Sequence, residues 1–429
     1  MNTASVQIAI VGGGIAGLWT LNRLSEAGYN AVLLEKSALG DGQTLASQGI
    51  IHGGLKYALN GTLSPASSAI AGMPARWRAC LDGSGETDLR SVRVLSPHYY
   101  MWSGGSVRSR LKTFLGSKAL RGRIDALTAH EYPAFFSAAR SLSASSVPTS
   151  YEPANSVSRG VSAGGTLYQL TDFVIDTPSL LRTLASRWQD RIFHCPQIQL
   201  AEHGLTLTSN TTNIALHADR VILCAGAGNE ALLAGQQFSG LTSGPAMQRR
   251  PLHMVAVRVS HPAPPYVHCI GDSFGMTPRL TITAHPCRDE AAGEWIWYLG
   301  GELAESGVNV SAREQCRRAE TELVSLFPWI DFATARWHSF YIDRAEPEAP
   351  DMSRPDNAFV AENGKFLTCW PTKLTLCPNL GDTVLRLVAA SLAPAGNIHA
   401  GGSVSGSDTP LQNLLPTARI ADTPWESLR

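Results

Sequence analysis

Val6-Gln7-Ile8-Ala9-Ile10-Val11-Gly12-Gly13-Gly14-Ile15-Ala16-Gly17 joins an apolar, β-branched run to a cluster of glycines. The run suits a strand of a parallel sheet, where both faces are covered. Leu18, Leu21 and Leu24 then recur at helical spacing, and Gly28 can stop that helix. Asn30 to Leu34 reads as a second strand with Glu35 at its end. This order of strand, turn, helix and strand is the one a dinucleotide site needs. Gly12 permits the tight turn, Gly14 lets the backbone approach a pyrophosphate, and Gly17 lets the helix pack close on the strand. The start of the helix, at Ile15 and Ala16, offers N–H groups and a positive dipole end to the phosphates. Glu35 lies 18 residues beyond Gly17, placed to accept from ribose hydroxyls and to repel a 2′-phosphate. The expectation is a bound adenine dinucleotide.

The chain has 429 residues, enough for two or three domains or one with a large insertion. With 44% hydrophobic and 16% charged residues it can bury a core, which excludes a disordered chain. Lys plus Arg and Asp plus Glu both number 35, so no net charge draws it to nucleic acid or to an anionic membrane. Eight scattered cysteines form no C-x-x-C pair, so no metal site is expected. Together with the absence of a leader pattern and of any apolar stretch of ~20 residues, such thiols point to the cytoplasm.

A nicotinamide-binding domain would continue with further strand and helix units. Here Gly40 to Gly49 is instead a loop of small and polar residues, able to wrap a cofactor but not to build a core. Ser47-Gln48-Gly49-Ile50-Ile51-His52-Gly53-Gly54-Leu55-Lys56-Tyr57 follows from it. With the glycine motif, this run resembles the FAD-dependent oxidoreductase superfamily of D-amino-acid oxidase, glycine oxidase, L-2-hydroxyglutarate dehydrogenase and quinone-linked glycerol-3-phosphate dehydrogenase. It is most similar in pattern to the last. The resemblance implies FAD as cofactor. It implies that Lys36, Thr44, Ser47, Gln48, Gly49, Ile51, His52, Gly53 and Gly54 join Glu35 in holding it, with Lys56 and Tyr57 facing the substrate. Lys56 stands where that family usually carries arginine, which exchanges a bidentate clamp for a point charge.

Asp172 to Ile175 reads as a strand leading into a helix capped by Asp176 or Thr177. Gln197–Leu200 and Leu205–Thr208 read as short strands. Asp219 to Cys224 reads as a buried strand ending in Ala225-Gly226, which resembles the return of an FAD domain beneath its cofactor. Strands at 251–259, 280–284 and 294–300 have no helices between them and suggest an antiparallel sheet. His253 lies on the first of these. It is either a structural histidine or, as the resemblance implies, the base that takes a hydroxyl proton from the substrate. Arg344 and Arg354 match the family's two arginines, which hold the anionic end of the substrate in a planar fork. Thr372, Lys373, Leu374 and Thr375 match its flavin-contacting turn, with Pro371 and Thr372 in place of two glycines.

The expected fold is α/β: a discontinuous, Rossmann-like FAD-binding domain of the glutathione-reductase type (1–80, 165–243 and 345–429) and an α+β substrate domain with an antiparallel sheet (81–164 and 244–344). The expected activity is oxidation of a small anionic alcohol, a hydroxy acid or polyol phosphate, with electrons passing to oxygen, quinone or a protein. The alternatives are an amine or amino-acid oxidase on the same fold and a non-catalytic flavoprotein component. Nucleic acid is not expected as a partner. The basic residues Arg108, Arg110, Lys112, Lys118, Arg121 and Arg123 read as a solvated helix face or as a docking surface for an acidic partner or membrane headgroups.

Overall fold

The structure, a computed structural model, describes residues 2–54, 70–103, 124–136, 166–209, 212–234, 244–261, 263–271, 277–287, 293–351, 353–396 and 411–428. The basic cluster, Lys56 and Tyr57 lie outside them.

The N-terminal run forms β1 (Asn2–Val11), whose side chains divide between two cores. Ile8 and Ile10 enter one, while Val6, Ala9 and Val11 enter the other. Burial on both faces is why the sequence reads as a continuous apolar run. The helix Ile15–Glu26 carries the chain to β2 (Ala31–Glu35), parallel to β1. Gly17 marks the crossing. A Cβ there would fall within the van der Waals envelope of the Gly12 carbonyl oxygen, so only glycine lets the helix lie this close. On its far side the helix packs Trp19 against Gly381 of the helix Cys377–Ala389. Pro378 suits the first turn of that helix.

β12 (Asn213–Leu223) runs parallel to β1 on its other side, and β9 (Ile192–His194) extends the sheet beyond β2. The two short expected strands form the hairpin β10 (Gln197–Ala201) and β11 (Gly204–Thr208), antiparallel to the start of β12. β19 (Phe366–Trp370) lies parallel to the end of β12 and carries β18 (Phe359–Asn363) outside it. Three segments far apart in sequence therefore share one sheet.

The second sheet has the order β17 (Arg336–Pro347), β13 (Met247–Ser260), β16 (Glu294–Gly300), β15 (Leu280–Pro286), β14 (Val267–Ile270), β5 (Tyr99–Ser103), β7 (Thr166–Leu170) and β6 (Ile124–Ala126). All its pairings are antiparallel except β14 with β5. β7 belongs to this sheet, a few residues past the expected boundary at 165. The helix Ala312–Leu326, capped by Ser311, covers one face and packs Ala319, Leu323 and Leu326 on Val255 and Val257. A third, small sheet joins β3 (Ile50–Ile51), β8 (Phe173–Ile175) and β4 (Val94–Ser96). Asp176 then caps the helix Thr177–Ser186 by accepting from Ser179 N–H at 2.9 Å. The architecture is the mixed α/β fold expected. Among the described residues no helix is long and apolar enough to cross a membrane.

Gly17→Ala tests the close crossing. Forcing a methyl into a packed contact costs about 1–3 kcal/mol, so the urea midpoint should fall with an unchanged m-value. An unaltered midpoint would show that the helix has room to shift.

Candidate active site

A cavity of about 1320 Å³ runs from Glu35 and Leu200 at one end to His268 and Arg344 at the other. Ordinary small-ligand sites occupy about 300–1,000 Å³, so this one has room for a dinucleotide and a substrate together. Gly12, Gly14, Ile15 and Ala16 line it where the first helix starts, with Gly14 as cap. Thr44 Oγ1 accepts from Ile15 N–H at 3.0 Å and fastens the following loop to that helix. Glu35 accepts from Gly13 N–H at 2.6 Å and Ser37 N–H at 2.7 Å, which fixes its carboxylate at the cavity wall beside Lys36. Ala225 and Gly226 line the opposite side, and Trp370 Nε1 donates to Gly226 O at 3.1 Å. A glycine-lined helix start, with an acid at the end of the second strand, fits FAD.

Ser47, Gln48, Gly49 and His52 continue along the cavity. Ile51 turns instead into the core, and Gly53 and Gly54 lie behind the wall. A Cβ on Gly53 would collide with Thr171 Oγ1, so the glycine lets the chain lie against β8. There Asp172 Oδ1 accepts from Gly53 N–H at 2.8 Å, and its Oδ2 lies 3.0 Å from His52 Nδ1. The Asp172 side chain is only 1% exposed. His268, on β14, stacks nearly parallel to His52 with ring centroids 6.1 Å apart. An imidazole anchored on a buried carboxylate can accept a proton from a bound hydroxyl or ligate a cation. Thr375 does not reach the cavity. Its Oγ1 accepts from His52 N–H at 2.9 Å, tying the late turn to the early loop.

His253 requires a correction. It is fully buried and faces away from the cavity, with Nδ1 2.9 Å from Gly307 O and Nε2 3.0 Å from Ser339 Oγ. Its neighbours Leu252 and Met254 line the cavity instead. Side chains alternate along a strand, and His253 shares the face that Val255 and Val257 present to the helix layer.

Cross-strand register sets Arg344 of β17 opposite Arg250 of β13, on the same face as Leu252. Arg344 and Arg354 both line the cavity. Arg344 pairs with Glu305 at 3.3 Å. Glu346, 1% exposed, lies 3.3 Å from Arg250 and 3.8 Å from Arg354. Three guanidiniums thus share two carboxylates. Burial, then the positive charge of Arg354 and Arg250, holds the Arg344 pKa below its ordinary value.

Thr372, Lys373 and Leu374 line the same end. Lys373 is buried, and its ammonium donates to Pro355 O at 2.8 Å. Thr372 is the described non-glycine residue with positive φ, at 59°. It keeps a left-handed turn where the resembling family carries glycine. Sequence reasoning missed Asp172 as a site residue, along with His268, Glu305 and Glu346. Asp172 is 120 residues from His52, and nothing local to either histidine signals the contact.

Fold and cavity together define a dinucleotide-binding oxidoreductase framework. Residues 7–370 match the DAO family, described as FAD dependent oxidoreductase. A probable FAD-dependent oxidoreductase of Pseudomonas aeruginosa, PA4991, is 44% identical over 425 residues, covering 98% of each chain. Its crystal structure matches at 39% identity with a TM-score of 0.76, over 100% of this chain and 99% of that one. Glycine oxidase from Geobacillus kaustophilus shares the fold at 18% identity and a TM-score of 0.59, over 91% of this chain and 96% of that one. L-α-glycerophosphate oxidase from Mycoplasma pneumoniae, with FAD bound, does so at 15% identity and a TM-score of 0.59, over 92% and 97%. The chain belongs to the DAO family and is an FAD-dependent oxidoreductase.

Two substitutions separate structural from functional parts here. His253→Ala leaves the buried Gly307 carbonyl without this partner, at about 1–3 kcal/mol, and removes the contact to Ser339 Oγ. It should lower the melting temperature, while anaerobic flavin reduction in the folded variant stays within twofold. Slowed reduction would restore His253 to the chemistry. Thr372→Gly should raise stability by about 1 kcal/mol, because the left-handed conformation costs an L-residue about 1–2 kcal/mol and glycine's own entropy offsets part of the gain. A lower denaturation midpoint would show that the hydroxyl, which donates to Asn357 O at 3.0 Å, outweighs the strain.

Proposed function

We propose that the enzyme oxidises a small anionic alcohol, a hydroxy acid or polyol phosphate, with bound FAD supplying the hydride acceptor at N5. The observation that carries this reading is the surplus guanidinium at the substrate end of the cavity. Arg344 and Arg354 line that end, and among the described residues they and the neighbouring Arg250 pair with Glu305 and Glu346. An anionic group on the substrate supplies the countercharge, and the planar forks of Arg344 and Arg354 can hold it in paired hydrogen bonds. Leu252 and Met254 floor the same space and keep water from the reacting carbon. Gly12, Gly14, Glu35 and the 47–54 loop would hold the cofactor, and Lys373 and Leu374 would close over its ring. Lys56 and Tyr57 remain substrate-facing residues on the resemblance alone.

Glu305 beside Arg344 favours a second reading. A carboxylate adjoining a guanidinium also suits the ammonium and carboxylate of an amino acid. No disulfide joins any of the eight cysteines, all of them among the described residues, which supports a cytoplasmic setting. Oxygen, quinone or a protein would take the electrons.

Anaerobic bleaching against a panel of hydroxy acids, polyol phosphates and amino acids discriminates the two readings. An anionic alcohol should bleach the flavin. Hydrogen bonds to charged groups are worth about 1.5–3 kcal/mol, so Arg344→Ala should raise KM roughly 10- to 150-fold with the flavin spectrum intact. Bleaching by amino acids alone selects the second reading, and an unchanged KM removes Arg344 from substrate binding.

A further inference from the structure

We propose that His52, Asp172 and His268 form a binding site for a transition-metal dication of the zinc class on the wall of the flavin cavity. One donor atom from each of the three lies within 4.8 Å of the others. Two imidazoles and one carboxylate are a ligand set for zinc and its neighbours, whereas magnesium and calcium prefer all-oxygen shells. His52 Nδ1 and Asp172 Oδ2, 3.0 Å apart, already stand close to the separation of two ligands on one ion. With bonds of about 2.0–2.2 Å, closing the set takes a movement of about 1 Å. His52 can supply it, since it sits on the loop that follows β3.

The other two ligands are oriented from behind, as metal ligands usually are. Asp172 Oδ1 is fixed by Gly53 N–H at 2.8 Å. His268 Nδ1 lies 2.9 Å from Thr281 Oγ1, which leaves Nε2 as its ligating atom. The Tyr99 ring packs edge-on to His268 at 4.6 Å, and its hydroxyl is anchored on Val267 O and Ile282 O.

Charge gives the independent argument. The Asp172 carboxylate is 1% exposed, and among the described residues its ion-pair partner is His52 alone, with no lysine or arginine. A buried carboxylate demands positive charge nearby. A dication provides it and displaces the proton held between Asp172 and His52. Three protein ligands leave a fourth position for a water or a substrate oxygen, and His52 and His268 both line the cavity that would deliver it. The site does not depend on which substrate the enzyme oxidises.

The test uses FAD-loaded, chelator-stripped protein titrated with zinc chloride against a chromophoric chelator, with metal counted after gel filtration. His203 and His217, whose rings lie 4.9 Å apart on the β11–β12 hairpin side, could bind zinc on their own. Both are therefore replaced by alanine in every sample. One zinc per chain should remain in that background. His268→Ala and His52→Ala should each weaken binding by at least about 100-fold, with FAD content and melting temperature showing that each variant is folded. Less than stoichiometric zinc in the background, or zinc binding that survives both substitutions, overturns the proposal. Because the readout is metal bound rather than turnover, it stands or falls separately from the substrate reading.

Discussion

The contact between the Gly12 carbonyl and the bare Cα of Gly17 sets the geometry on which the site depends. It lets the first helix lie directly against β1, so that its N-terminus opens at the end of the strand. From there the constraint passes outward. Thr44 can reach Ile15 N–H, and Glu35 can reach Gly13 N–H, only because the helix starts where it does. On the other side Trp19 packs on Gly381, which fixes the helix Cys377–Ala389 and the turn before it. Thr375 then meets the His52 backbone. Two segments more than three hundred residues apart are thus held on one cavity by a pair of glycines.

The loop from Gly40 to Gly54 has no core of its own, and its polar groups must find partners elsewhere. Much of that partnership comes from the second sheet. Gln48 Nε2 donates to Thr281 O at 3.1 Å and Tyr298 O at 2.9 Å. The Tyr298 hydroxyl donates back to Ala46 O at 2.6 Å. Trp425, fully buried, rests against both Tyr298 and His285 with centroids 4.7 Å away in each case. The wall that faces the substrate therefore also completes the cofactor loop. The sheets are coupled through hydrogen bonds that neither could satisfy alone.

Local chemistry was legible in the sequence and long-range pairing was not. The first strand, helix and acid announce themselves because glycine placement and helical spacing act within a few residues. The Asp176 and Ser311 caps are readable for the same reason. The strand at His253 was also readable, but its phase was not. Residues on both faces of β13 between 253 and 257 are buried, so alternation carries no mark of which face meets the cavity. The Asp172 contact and the recruitment of β5, β6 and β7 into the second sheet rest on pairings across many tens of residues. No periodicity in those segments records them. Thr372 shows the opposite case, a residue that violates local preference and holds its turn because Arg354, Asn357 and β19 surround it.

The distribution of charge completes this logic. At the far end of the cavity the Glu35 carboxylate accepts from two backbone N–H groups, so its charge is partly met within the chain. At the Arg344 end Glu346 is shared by Arg250 and Arg354, and Arg344 pairs with the partly exposed Glu305. Crowding three partly buried guanidiniums around two carboxylates, one of them fully buried, is unfavourable for the folded chain alone. A sequence selected only for stability would replace one of them with an apolar side chain of similar size. An anion entering the cavity would reverse the sign, because it would offset the neighbouring positive charge that, after burial, holds the Arg344 pKa down, and would add charge-assisted hydrogen bonds. The destabilisation is thus localised where the proposed anionic substrate would remove it.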